Sequence, residues 1–158
     1  MEQQIIKELT LTRVLNAPRE LVFKTWTDPK HLAQWWGPRG FTNPVCEVDP
    51  KPGGKIRIHM DHPKFPNHWM TGFFREVVAP ERLVFTSKAF ENEEGVALLE
   101  VLNTVTFEEE NGKTKLTVHA VVTKATPEMA FALNGMDQGW NESIDKLSEY
   151  LENQPFHS

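Results

Sequence analysis

Apolar and polar positions alternate loosely from Ile5 to Leu15, with Leu9, Leu11 and Val14 apolar, and predict a strand. Pro18 then suits the first position of a helix, whose buried side carries Leu21, Val22 and Trp26. Asp28 followed by Pro29 predicts a second short helix, capped by the Asp28 carboxylate. That helix carries Leu32, Trp35 and Trp36, and Gly37-Pro38 ends it. Pro52-Gly53-Gly54 marks a turn. After it Ile56, Ile58 and Met60 alternate with Lys55, Arg57 and His59, the period of a half-buried strand. Trp69 to Val78 and Leu83 to Lys88 predict two more strands, joined around Ala79-Pro80-Glu81.

Asn111-Gly112 suits the two-residue type I′ turn of a hairpin. Setting Glu110 opposite Lys113 puts Phe107 against Leu116, Val105 against Val118 and Val101 against Val122 on one apolar side. The other side then pairs Glu108 with Lys115, Thr106 with Thr117 and Thr104 with His119, so both faces support one register. Asn103 is the polar exception on the apolar side, opposite Ala120.

Near the end of the chain, Thr126 suits a helix cap and Pro127 the first turn. Met129, Leu133, Met136, Trp140, Ile144, Leu147 and Leu151 step by three or four and predict one long helix with an apolar stripe. Glu142, Asp145, Lys146, Glu149 and Glu152 fall mostly on its wet side. Phe131 lies nearly opposite the stripe, which makes the first turn irregular or the ring exposed.

The predicted order is strand, two short helices, about six strands and a long helix: an α+β arrangement in one domain over residues 1–158. A striped helix must bury its stripe, and the apolar face of the antiparallel sheet has the length to receive it. A twisted sheet cannot touch a straight helix evenly, so a cavity can open between them, and small molecules favour such apolar concavities. The candidate walls are Trp35, Trp36, Phe41, Ile58, Met60, Trp69, Phe73, Phe85, Val105, Val118, Met129, Leu133, Met136 and Trp140. Asn103 and Asp137 are the candidate polar groups there, although a structural hydrogen bond or a wet flank is the more ordinary explanation of each.

Composition sharpens this picture. The 158 residues are 39% hydrophobic and 25% charged, as in ordinary globular chains, and ten Phe, five Trp and one Tyr give the core an aromatic bias. The net charge of -5 and the lack of Lys/Arg runs speak against nucleic acid as a partner. No apolar run nears the roughly 20 residues that span a bilayer, so no membrane insertion is expected. The start lacks a signal-peptide pattern and Cys46 has no partner for an internal disulfide; a cytoplasmic location is the expectation. His59, Asp61, His62 and His68 form the one His/Asp cluster, but Lys55 and Arg57 share its face, so no metal is expected. No nucleophile elbow, phosphate loop, paired CxxC or dinucleotide fingerprint occurs, so no cofactor is expected and binding is favoured over catalysis.

Several ordered segments resemble the SRPBCC superfamily, nearest to the activator of heat shock protein 90 ATPase homologue family. They are Asn16-Ala17-Pro18-Arg19-Glu20-Leu21-Val22-Phe23, Trp26-Thr27-Asp28-Pro29, Trp35-Trp36-Gly37-Pro38, Pro52-Gly53-Gly54-Lys55, Gly72-Phe73-Phe74-Arg75-Glu76-Val77 and Pro80-Glu81-Arg82-Leu83-Val84-Phe85-Thr86. Gly135-Met136-Asp137-Gln138-Gly139-Trp140 and Ile144-Asp145-Lys146-Leu147 follow, so the resemblance runs from about Leu9 to Leu151. It implies a helix-grip (START-like) fold, a curved antiparallel sheet of six or seven strands wrapped around the C-terminal helix, with two short helices after the first strand. Relatives bind lipids, hormones, polyketides and other apolar ligands, and some are cyclases, hydrolases or dehydratases. The eukaryotic chaperone activators add an N-terminal domain that engages the chaperone; this chain has the one domain, so direct chaperone activation is not expected.

Three functions follow as expectations. The first is binding of an apolar or amphipathic small molecule in the helix–sheet cavity. The second is an enzyme acting on such a ligand through Asp137, Asn103 or a loop His. The third is a chaperone or stress-response interaction module with an exposed apolar patch around Phe131 or Trp35–Phe41. A homodimer is left open.

Overall fold

The computed structural model describes residues 7–64, 67–91 and 93–153, with the backbone alone at residues 91 and 131. Ile5, Ile6 and the Phe131 ring therefore lie outside the described parts. Among the described residues no helix is long and apolar enough to cross a membrane.

Strand β1 (Lys7–Leu15) leads to α1 (Arg19–Thr27) and α2 (Pro29–Trp35). Strands β2 (Thr42–Val48), β3 (Lys55–Asp61), β4 (His68–Val78), β5 (Arg82–Glu91), β6 (Ala97–Glu110) and β7 (Lys113–Ala125) follow. A 3₁₀ turn (Pro127–Met129), α3 (Ala130–Asn134) and α4 (Met136–Glu152) close the chain. The strands form one antiparallel curved sheet in the order β1-β7-β6-β5-β4-β3-β2. The two edge strands, β1 and β2, thus meet α4 and α2 respectively, and the helices fill the concave face: the helix-grip arrangement.

Local chemistry explains most boundaries. The Asp28 carboxylate accepts the Lys30 N–H at 2.9 Å, capping α2 with Pro29 in its first turn. Pro18 stands one residue earlier than predicted, at the N-cap of α1, where its extended ψ of 149° sets the chain's entry. Asn111 and Gly112 take φ of 53° and 80°, as a type I′ turn requires, and the β6–β7 register is the one the side-chain pairs predict. Strand β2 has no clear alternation and carries Pro44. It is an edge strand, where a missing N–H is tolerated, and its register shifts between Thr42 and Val45.

Three expectations need correction. In β1 the burial phase runs through Leu9, Leu11 and Leu15, with Arg13 between, so Val14 points away and is 50% exposed. The predicted long helix is broken at Gly135, which has φ -93° and ψ -1° and stands at the N-cap of α4. Asn134 and Gly135 are weak helix formers, so the local sequence does little to keep the helix continuous there. Thr126 does not cap: its buried hydroxyl makes no hydrogen bond.

The core is densest where Ile144, Leu147 and Leu151 of α4 meet the sheet. Leu15, Val105, Phe107, Leu116 and Val118 are almost fully buried there. Trp35 is also fully buried, and its indole N–H donates to the Thr25 carbonyl at 2.9 Å. Trp26 sits among Trp35, Phe107 and Trp140 with ring centroids 4.7, 6.2 and 6.3 Å away. Aromatic surplus thus fills the space beneath the two short helices.

Candidate functional site

Along β5 the inward residues run Leu83, Phe85, Ser87, Ala89; along β6 they run Phe107, Val105, Asn103, Val101, as the period of two dictates. Side chains are therefore large at one end of the sheet and small at the other. The helix follows the same gradient, because Gly135 ends α4 over the small-residue end. A cavity of about 650 Å³ opens there. At the large-residue end the packing leaves a void of about 10 Å³ beside Trp26 and Phe85, no more than one water needs.

The large cavity is walled by Trp36, Phe41, Met60, Met70, Leu99, Val101, Leu133, Met136 and Trp140, with Phe90 at its edge. Trp36 and Trp140 meet edge to face at 5.8 Å and form a continuous aromatic wall. Of the residues expected at the cavity, Trp36, Phe41, Met60, Asn103, Leu133, Met136 and Trp140 are brought together around it.

The others lie elsewhere. Trp35, Val105 and Val118 are sealed in the core, Ile58 and Phe85 border the small void, and Met129 is buried in the 3₁₀ turn. Trp69 and Phe73 are out of phase with Met70 and Phe74, so they face the outside of the sheet. Arg57 lies over the Trp69 ring at 4.1 Å, and Phe73 is 39% exposed. The Asp137 side chain is 61% exposed, pairs with Lys7 at 3.3 Å and does not line the cavity. Ser87, Ala89, Leu99, Val101, Met70 and Phe90 are cavity residues that sequence reasoning did not select. All but Phe90 share the inward phase of residues that it did select. Phe90 has a left-handed φ of 58°, which local sequence does not announce.

Asn103 stands at the boundary between core and cavity and is 1% exposed. Its amide donates to the Phe85 carbonyl at 3.4 Å and to the Ser87 hydroxyl at 3.1 Å. Its own carbonyl oxygen is buried without a hydrogen-bond partner.

The loop after α2 edges the cavity and is tied to α4. The Arg39 N–H donates to Glu142 at 3.0 Å, its guanidinium pairs with Glu149, and Lys146 donates to the carbonyls of Gly37 and Pro38 at 3.1 and 3.4 Å. Gly139 allows the approach, since a Cβ there would stand 3.3 Å from the Pro38 ring. The Gln138 and Arg39 hydrogen bonds hold the Glu142 carboxyl below the usual range, and Arg39 does the same for Glu149. Burial lowers the Lys146 ammonium pKa. Burial, with Glu47 nearby, pushes the Cys46 thiol up to about 11, so it stays protonated and unreactive at neutral pH. His59 and Asp61 lie 3.1 Å apart on the outer face. Among the described residues no three His, Cys, Asp or Glu side chains are grouped as metal ligands would be.

The family model for Activator of Hsp90 ATPase homolog 1-like proteins matches residues 16–152. A comparison with curated proteins found no match. Among solved structures, a protein from Rhizobium leguminosarum is 27% identical with a TM-score of 0.80, the match covering 94% of this chain and 95% of that one. A protein from Nitrosomonas europaea is 26% identical with a TM-score of 0.75, covering 92% and 94%. The AHSA1 protein of Silicibacter pomeroyi is 22% identical with a TM-score of 0.76, covering 92% and 98%, a likeness of fold alone.

Proposed function

The chain belongs to the Activator of Hsp90 ATPase homolog 1-like family, and from that premise we propose that it binds an apolar or amphipathic small molecule between the sheet and α4. The cavity of about 650 Å³ carries this reading. Its walls are mostly aromatic, aliphatic and thioether side chains, and its volume lies within the range of small-molecule sites. Burying apolar ligand surface against such walls contributes about 25 cal/mol per Å² before association costs. Met60, Met70 and Met136 add adaptable contacts, which suits a ligand of variable shape.

Native mass spectrometry of the full chain taken directly from cells, followed by denaturing extraction, tests the proposal. A small apolar molecule released on denaturation is the expected result. Protein that carries none, and whose tryptophan emission does not respond to apolar compounds, overturns it. The same spectrum reports whether the chain self-associates.

A further inference from the structure

We propose that the Ser87–Asn103 pair makes this cavity selective for apolar molecules bearing a neutral hydroxyl group. The inference rests on the binding function above and specifies its chemistry. Both Asn103 amide hydrogens are used, toward the Phe85 carbonyl and the Ser87 hydroxyl oxygen. The orientation of the amide follows from Phe85, because a backbone carbonyl only accepts. The Asn103 carbonyl oxygen is then left as a buried acceptor without a partner. Ser87 already accepts from Asn103, so its own O–H is free to donate. Both residues line the cavity beside apolar Met70, Val101 and Leu99, and between them they hold one unpartnered acceptor and one donor.

An alcohol or phenol matches that pair, since its O–H donates to Asn103 and its oxygen accepts from Ser87. An ether satisfies only Ser87. A carboxylate also meets only Ser87 as a donor, and its charge opposes the Asn103 oxygen while losing hydration. The charged groups lining the cavity do not correct this. Arg39 is committed to Glu149, and Glu142 accepts from Gln138 and the Arg39 N–H. His68 lies against the Phe90 and Phe41 rings, with centroids 4.4 and 6.0 Å away. A buried polar group that one ligand satisfies and another leaves unpaired is a strong discriminator.

Decanol, decyl methyl ether and decanoate share an alkyl chain and separate these cases. Each is titrated into the full-length protein while the emission of its tryptophans, Trp36 and Trp140 among them, is followed. Decanol is expected to bind about tenfold tighter than the ether, and tighter than decanoate. Asn103→Leu should bring decanol and the ether to within about twofold of each other, and Ser87→Ala should narrow the gap as well. Equal affinity of decanol and the ether in the unaltered protein, or tightest binding of decanoate, overturns the hydroxyl selectivity and leaves the cavity reading standing. Binding of none of the three overturns both. If Asn103→Leu does not fold, the Ser87→Ala titration decides: an unchanged gap counts against the pair.

Discussion

The two ends of the helix–sheet junction are built from the same strands and neighbouring turns of one helix, yet one is solid and the other hollow. At the solid end Phe85, Phe107, Leu116, Ile144 and Leu147 interlock and are almost fully buried. At the hollow end Ser87, Ala89, Asn103 and Gly139 occupy the corresponding inward or facing positions. The difference lies in side-chain volume: the strand path continues, but the atoms that would fill the gap are absent from the sequence. Stability should therefore be concentrated at the first end and binding at the second, as expected when rigid packing supports a functional site.

Truncation tests this division with the largest effect. Phe107→Ala should cost about 3–5 kcal/mol, whereas Leu133→Ala, a wall of the hollow end, should cost roughly 1 kcal/mol or less. Urea unfolding of both variants checks it, and equal losses would erase the contrast. Adding volume should separate the ends with opposite consequences. Ala120→Leu enters a fully buried position and should destabilise by about 1–3 kcal/mol. Ala89→Leu points into the cavity and should leave stability within about 1 kcal/mol while weakening decanol binding. Thermal melts and decanol titrations of the two variants report both quantities.

A smaller change is expected at the boundary. Asn103→Leu removes a buried oxygen that has no partner but also the amide's hydrogen bonds to Phe85 and Ser87, so the two effects offset and stability without ligand should change by no more than about 1 kcal/mol, measured by urea unfolding. A loss of several kcal/mol would place Asn103 with the solid end. The least effect belongs to the charged tie over the cavity. Glu142 and Glu149 have lowered folded pKa values, so the stability they contribute is present above their ordinary value of 4.5 and is lost as pH falls through the folded values. Melting temperatures taken from about pH 6 to about pH 3 should fall slightly less steeply in Glu149→Gln than in the unaltered chain. Identical slopes would show that the exposed Arg39 pair adds nothing to the hollow end.

Legibility in the sequence follows the range of the forces involved. The Asp28 cap and the Asn111-Gly112 turn are decided by a few adjacent residues, and the β6–β7 register follows from pairs that the turn brings together. The aromatic chemistry of Trp69 and Phe73 suggests cavity walls, although the phase of Met70 and Phe74 turns them outward. The break at Gly135 was hidden because Met129, Leu133 and Met136 keep helical spacing across it. Met129 lies in the 3₁₀ turn, Leu133 in α3 and Met136 at the start of α4, three separate elements that the spacing alone reads as one.

By itself, then, the sequence determined the order of strands and short helices up to the C-terminal segment, the hairpin register, the inward phase of β3 and of the β6–β7 hairpin, and the family. Each is a property of neighbouring residues or of an ordered set of short motifs. Only the tertiary structure decided which inward residues touch helix and which face open space. That outcome depends on sheet curvature, on volumes contributed by separate strands, and on where α4 begins. It also decided that Asn103, one polar residue on an apolar face, stands at the border between core and cavity, where a buried acceptor gains chemical meaning.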